Sequence, residues 1–134
     1  MQNILDSTPE ESIFYEDRKV SVALAYEPIT RGHSVVIWKE KIEDITKLNS
    51  EDYEYLMDVV DVARDTLREF YTIEKVYLMY LDEAKWVHWH LIPRYDEKGF
   101  NLLKSKPVRI DNFNDAVQLT EMFKKNHNKM ILEN

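Results

Sequence analysis

Cysteine is missing from all 134 residues, which excludes disulfides, thiolate metal centres and cysteine nucleophiles together. Glycine occurs only twice and proline four times, so the few breakers mark connections, and no repeat or low-complexity segment is present. Basic residues are in deficit, 18 Lys and Arg against 25 Asp and Glu for a formal charge of -7. That balance argues against a broad electrostatic hold on a nucleic-acid polymer or an anionic membrane, while leaving a local cleft free to take a small phosphorylated ligand. No apolar run approaches the roughly 18 residues of a membrane span, and the first residues, MQNILDSTPEES, have no basic head followed by an apolar stretch. The expectation is a cytoplasmic protein. With 44% hydrophobic and 32% charged residues, the length suits one globular domain over 1–134.

What the chain does have is a pair of histidines in Trp86-Val87-His88-Trp89-His90-Leu91-Ile92-Pro93-Arg94. A strand sends alternate side chains to opposite faces, so His88 and His90 share one face about 6.6 Å apart. Val87, Trp89 and Leu91 form an apolar stripe on the other, which calls for a helix over it and leaves the imidazoles turned toward a cleft. A neutral imidazole whose Nδ1–H is held by a carbonyl presents Nε2 as nucleophile, base or metal ligand. A second ring beside it can protonate or stabilise a departing oxygen. From spacing alone, two polar residues on an exposed strand face explain the pair equally well.

Around this stretch the pattern is α+β. Strands are expected at Ile13 to Tyr15, Val20 to Ala25 and His33 to Trp38, with Glu16 to Lys19 as a hairpin turn. Gly32, just before His33, marks a backbone position closed to a side chain. Ile42 to Leu48 predicts a short helical turn. Asn49-Ser50-Glu51-Asp52 caps a long helix to about Tyr71, whose apolar face carries Tyr53, Leu56, Val60, Ala63, Leu67 and Phe70. Strands follow at Lys75 to Leu81 and Trp86 to Arg94, joined by the link Asp82 to Lys85. A last helix begins after Asn114, with Val117, Leu119, Met122 and Phe123 on its apolar side and Lys124, Lys125 and Lys129 near its end. The architecture expected is a five-stranded antiparallel sheet with a long and a short helix on one face, a core over about 12–95 and a helical extension over about 96–134.

His88 to Arg94, preceded 55 residues before His88 by the histidine of Arg31-Gly32-His33-Ser34-Val35-Val36-Ile37 and by Ile42-Glu43-Asp44-Ile45-Thr46-Lys47-Leu48, resembles the histidine triad (HIT) family of nucleotide hydrolases and transferases. The likeness runs from about Ser12 to Tyr95. It implies a homodimer acting on the α-phosphate of a nucleotide, of the dinucleoside polyphosphate, nucleoside phosphoramidate or nucleotide sugar type, with no cofactor and no metal. His88 maps to the nucleophile that forms a nucleotidyl-histidine, His90 to the residue beside the scissile bridge, and His33 to a supporting position. Arg94 is either a phosphate partner or a structural ion pair.

Three departures stand out. Trp86 occupies the place of the first triad histidine, so His33 needs another partner; on the histidine face the Trp86 ring is expected to contact ligand. Ala25 stands where relatives carry the ribose-binding acidic or amide residue, a loss of roughly 1–3 kcal/mol in nucleoside selection. The link Asp82 to Lys85 has no Gly-Gln-Ser/Thr segment. Two alternatives follow: a nucleotide-binding regulatory module with little catalysis, and a metal-dependent phosphohydrolase using His33, His88 and His90. Trp89, Trp38 and the Tyr53/Leu56/Val60 face are assigned to the core, and His127 to the solvated surface.

Overall fold

The computed structural model describes residues 4–81, 83–96, 99–102 and 104–133. Strands β1 (Ile13–Glu16), β2 (Val20–Leu24), β3 (Ser34–Trp38), β4 (Lys75–Tyr80) and β5 (His88–Arg94) form one antiparallel sheet in the order β1-β2-β3-β5-β4. The first hairpin closes on Asp17, whose Oδ1 accepts from the amides of Lys19 at 2.7 Å and Val20 at 2.9 Å. Its Oδ2 accepts from the hydroxyls of Tyr15 and Tyr55, tying the turn to the helix above it.

Helix α1 (Ser50–Tyr71) starts where the Asn49 side chain accepts from the Asp52 amide. It buries Leu56, Val59, Val60, Val62, Ala63, Thr66 and Leu67, a stripe at helical spacing, whereas Tyr53 is 44% exposed and lies outside the core. The short α2 (Gly99–Leu102) precedes α3 (Asp115–Glu133). Helix α3 packs on α1 and β1, with Phe123 stacked on Tyr15 at 4.4 Å between centroids. It supplies Ala116, Leu119 and Phe123 to the same core as the sheet; the C-terminal segment is thus part of the packing. Val117 points out at 74% exposure, and the lysines at 124, 125 and 129 fall before the last turn, which runs to Glu133.

Alternation sorts the sheet into two faces. Val20, Val22, Leu24, Val36, Trp38, Val76 and Leu91 meet the helices, with Trp89 partly buried against Tyr80 at 5.2 Å. Ala23, Val35, Ile37, Met79, His88 and His90 belong to the other face, where they line a cleft. The register places His90 between Val35 and Met79, and His88 beside Ile37.

Candidate active site

Three imidazoles meet on the open face of the sheet. The His88 and His90 rings lie 5.0 Å apart, and His90 and His33 5.2 Å apart. Their partners dictate where each proton sits. His88 Nδ1 is 2.7 Å from the Trp86 carbonyl oxygen; a carbonyl only accepts, so Nδ1 carries the hydrogen and Nε2 is bare. The Ile29 amide donates to His33 Nδ1 at 3.0 Å, so that nitrogen has no hydrogen and His33 Nε2 has one. Nε2–H then donates to His90 Nδ1 at 3.0 Å, which assigns the His90 hydrogen to Nε2. A bare nitrogen and an N–H therefore stand side by side.

Burial, followed by the charge of neighbouring His90, pushes the His33 pKa down to about 3. Burial and then His88 push His90 down to about 4. Both rings are neutral at pH 7. A neutral ring gives up its Nε2 proton only by becoming an imidazolate, so His90 can stabilise developing negative charge by donating a hydrogen bond but is a poor source of a whole proton.

The cleft that all three rings line has a volume of about 360 Å³. Its walls are the histidine face, the loop between β2 and β3 and the N-terminal turn at Ile4 to Pro9. Among the described lining residues Glu27 is the one with a formal charge, and Ala25 lines the wall where an acceptor is expected by resemblance. His88 is only 7% exposed, yet its ring faces this cleft.

The structure changes several expectations from the sequence. Trp86 is 6% exposed, lines no part of the cleft and donates through Nε1 to the Trp38 carbonyl at 2.7 Å. Its ring is structural, and what reaches the site is its carbonyl, on His88. The strand begins at His88, after Lys85 has taken a left-handed turn (φ 53°), so the alternation of faces does not extend back to position 86. Arg94, at the far end of β5 opposite Lys75, does not line the histidine cleft. His33 finds its partner in His90. Both ring nitrogens of His33 are engaged in these hydrogen bonds, and no group of three or more His, Asp or Glu suited to a metal occurs among the described residues. His127 is half-buried beside Tyr15, 5.1 Å away, instead of solvated. Asp82, in the link between β4 and β5, lies outside the described residues. The Ile29 amide escaped sequence reasoning because a backbone N–H leaves no residue signature; Glu27 was legible only as one acid among many.

A family profile described as HIT domain matches residues 7–97. Among solved structures, a zinc-bound histidine triad family protein from Mycobacterium smegmatis superposes with a TM-score of 0.71 at 21% identity, covering 90% of this chain and 88% of that one. A histidine triad protein from Marinobacter aquaeolei gives 0.72 at 16%, covering 91% and 93%. The NitFhit protein of C. elegans gives 0.68 at 19%, covering 85% of this chain; this chain spans 28% of its length. These likenesses show the fold. Among curated proteins none matches this chain.

Proposed function

This chain belongs to the HIT domain family, and from that premise we propose that it cleaves the α-phosphate linkage of a nucleotide through a covalent intermediate on His88. Members of the family are typically nucleotide hydrolases or transferases. The observation that carries the reading is the pairing of a bare Nε2 on His88 with an obligatory N–H on His90. His88 Nε2 attacks phosphorus, the N–P bond forms as the bridging P–O bond breaks, and the electron pair leaves on the bridging oxygen beside His90 Nε2–H. Water then attacks the same phosphorus, the electron pair of the N–P bond returns to His88, and the water proton passes to solvent.

A donor that cannot readily surrender its proton suits a leaving group that departs as a stable anion. That favours a phosphoric anhydride over a phosphoramidate, whose amine must be protonated. Dinucleoside polyphosphates and nucleotide sugars contain such an anhydride linkage. His33 supports His90, and Arg94 takes no direct part. The protein acts in the cytoplasm as a homodimer, and the dimer reading is supported by the position of β4 at the edge of the sheet with Leu78 exposed.

The test is turnover of a dinucleoside polyphosphate and an adenosine phosphoramidate by the protein and by His88→Ala. Anhydride cleavage is expected to exceed amide cleavage and to fall by at least 1,000-fold in the variant, the scale of removing a nucleophile. Equal rates in both proteins would leave a binding module.

A further inference from the structure

The loop from Ala25 to His33 delivers the Ile29 amide on which the His33 and His90 tautomers depend. It has no regular structure of its own over most of this length, yet it is held from three sides. Along one side the C-terminal segment runs beside it, Val108 N donating to Pro28 O at 3.2 Å and Ile110 N to Tyr26 O at 2.8 Å. These two amides bracket the loop immediately before Ile29. From the end of the sheet, Thr30 Oγ1 donates to the Pro93 carbonyl and Tyr95 Oη to the Arg31 carbonyl, each at 2.7 Å.

From the helices, Asp115 at the start of α3 accepts from Tyr71 Oη at 2.9 Å and pairs with Arg31 at 3.3 Å. The Tyr71 ring fills the place where Gly32 has no side chain. Between loop, helix and C-terminal segment lies a cavity of about 520 Å³, larger than the histidine cleft. The polar side chains Arg31, Tyr71 and Asp115 on its wall are bonded to one another, which makes it part of a fastening.

We propose that residues 108–115 are a positioning element for the histidine pair: Val108 and Ile110, through their backbone N–H groups, hold the loop so that the Ile29 amide keeps His90 a hydrogen donor toward the cleft. Without that hold, Ile29 N–H drifts from His33 Nδ1, His33 becomes free to carry its hydrogen on either nitrogen, and His90 loses its fixed Nε2–H. The kinetic consequence rests on the roles proposed above for His88 and His90; the tautomer consequence stands on geometry alone.

Ile110→Pro and Val108→Pro each delete one N–H and retain a backbone carbonyl. Val108 is 66% exposed, so its substitution leaves the core untouched and remains informative if Ile110→Pro fails to fold. Ile110→Val keeps the N–H and serves as the conservative variant. Imidazole ¹⁵N–¹H correlation spectra read the tautomers directly. The protein and Ile110→Val are expected to show single Nε2–H forms for His33 and His90, and the proline variants a mixture at both rings. With adenylate esters of p-nitrophenol and phenol, the rate ratio between good and poor leaving groups should rise at least tenfold in the proline variants, because the poor leaving group depends most on the His90 hydrogen bond. Single Nε2–H tautomers persisting in folded Val108→Pro and Ile110→Pro would overturn the proposal. If the protein itself cleaves neither ester, the enzymatic reading fails while the spectra still decide the role of the C-terminal segment.

Discussion

Acidification acts on the histidine cluster before most carboxylates titrate, and its effect on stability follows from the site's geometry. In the unfolded chain His33 and His90 take up protons near the ordinary pH 6.5. In the folded protein burial, followed by the charge of His90 acting on His33 and of His88 acting on His90, delays uptake to about pH 3 for His33 and about pH 4 for His90. Below pH 6.5 the unfolded state therefore binds more protons, and stability is lost as pH falls. From pH 7 to 4.5 the loss is about 2–3 kcal/mol for each ring and about 5 kcal/mol for both, with a limiting slope of about 2.7 kcal/mol per pH unit. This is a large part of the roughly 5–15 kcal/mol that holds a domain of this size together.

Asp17 lies outside that window. Burial raises its pKa, but the hydroxyls of Tyr55 and Tyr15 and the amides of Val20 and Lys19 bring it below the carboxylate norm, so its contribution is retained until pH falls below about 4. Urea unfolding followed by tryptophan fluorescence and circular dichroism at pH 7.5, 6.5, 5.5 and 4.5 measures the loss. His33→Phe, which takes one titrating ring out of the interior, should cut the slope by about half. A slope below that of one proton, or one unchanged in His33→Phe, would refute the assignment of two buried neutral rings.

Gly32→Ala should destabilise the protein by about 2–4 kcal/mol, combining left-handed strain with loss of the Tyr71–Asp115 hydrogen bond. Gly32 sits at φ 84°, and an added Cβ would stand 2.3 Å from Tyr71 Cε2; a shift below 1 kcal/mol in urea unfolding would show that Tyr71 gives way freely. Trp86→Phe removes the bond to the Trp38 carbonyl and should cost about 1–3 kcal/mol in stability. It should leave ligand preference unchanged, because only the carbonyl of residue 86 reaches His88; altered preference in binding assays would return that ring to the cleft.

Much of the fold was legible in the sequence because it rests on periodicity. The helix expected from Asn49 to about Tyr71 runs from Ser50 to Tyr71 with Asn49 as its cap, and the Glu16 to Lys19 turn is fixed by Asp17. Gly32 at positive φ was likewise foreseeable, since glycine is the residue that tolerates it. The placement of His88 and His90 on one face followed from alternation, but alternation failed at Trp86, where the strand had not yet begun. Tertiary partners were illegible. His33 turning to His90, the Ile29 amide behind it, and residues 108–110 running beside the loop are contacts between segments far apart in sequence, with no compositional trace.

The most direct test of the proposed chemistry is to mix the protein with a stoichiometric dinucleoside polyphosphate, quench within one turnover under conditions that preserve phosphorus–nitrogen bonds, and map any adduct. One nucleotidyl group on Nε2 of His88 is expected, absent from His88→Ala. Turnover with no adduct at any quench time, or an adduct on His90 or on Nδ1 of His88, would contradict an account in which the Trp86 carbonyl leaves a single bare nitrogen facing the phosphorus.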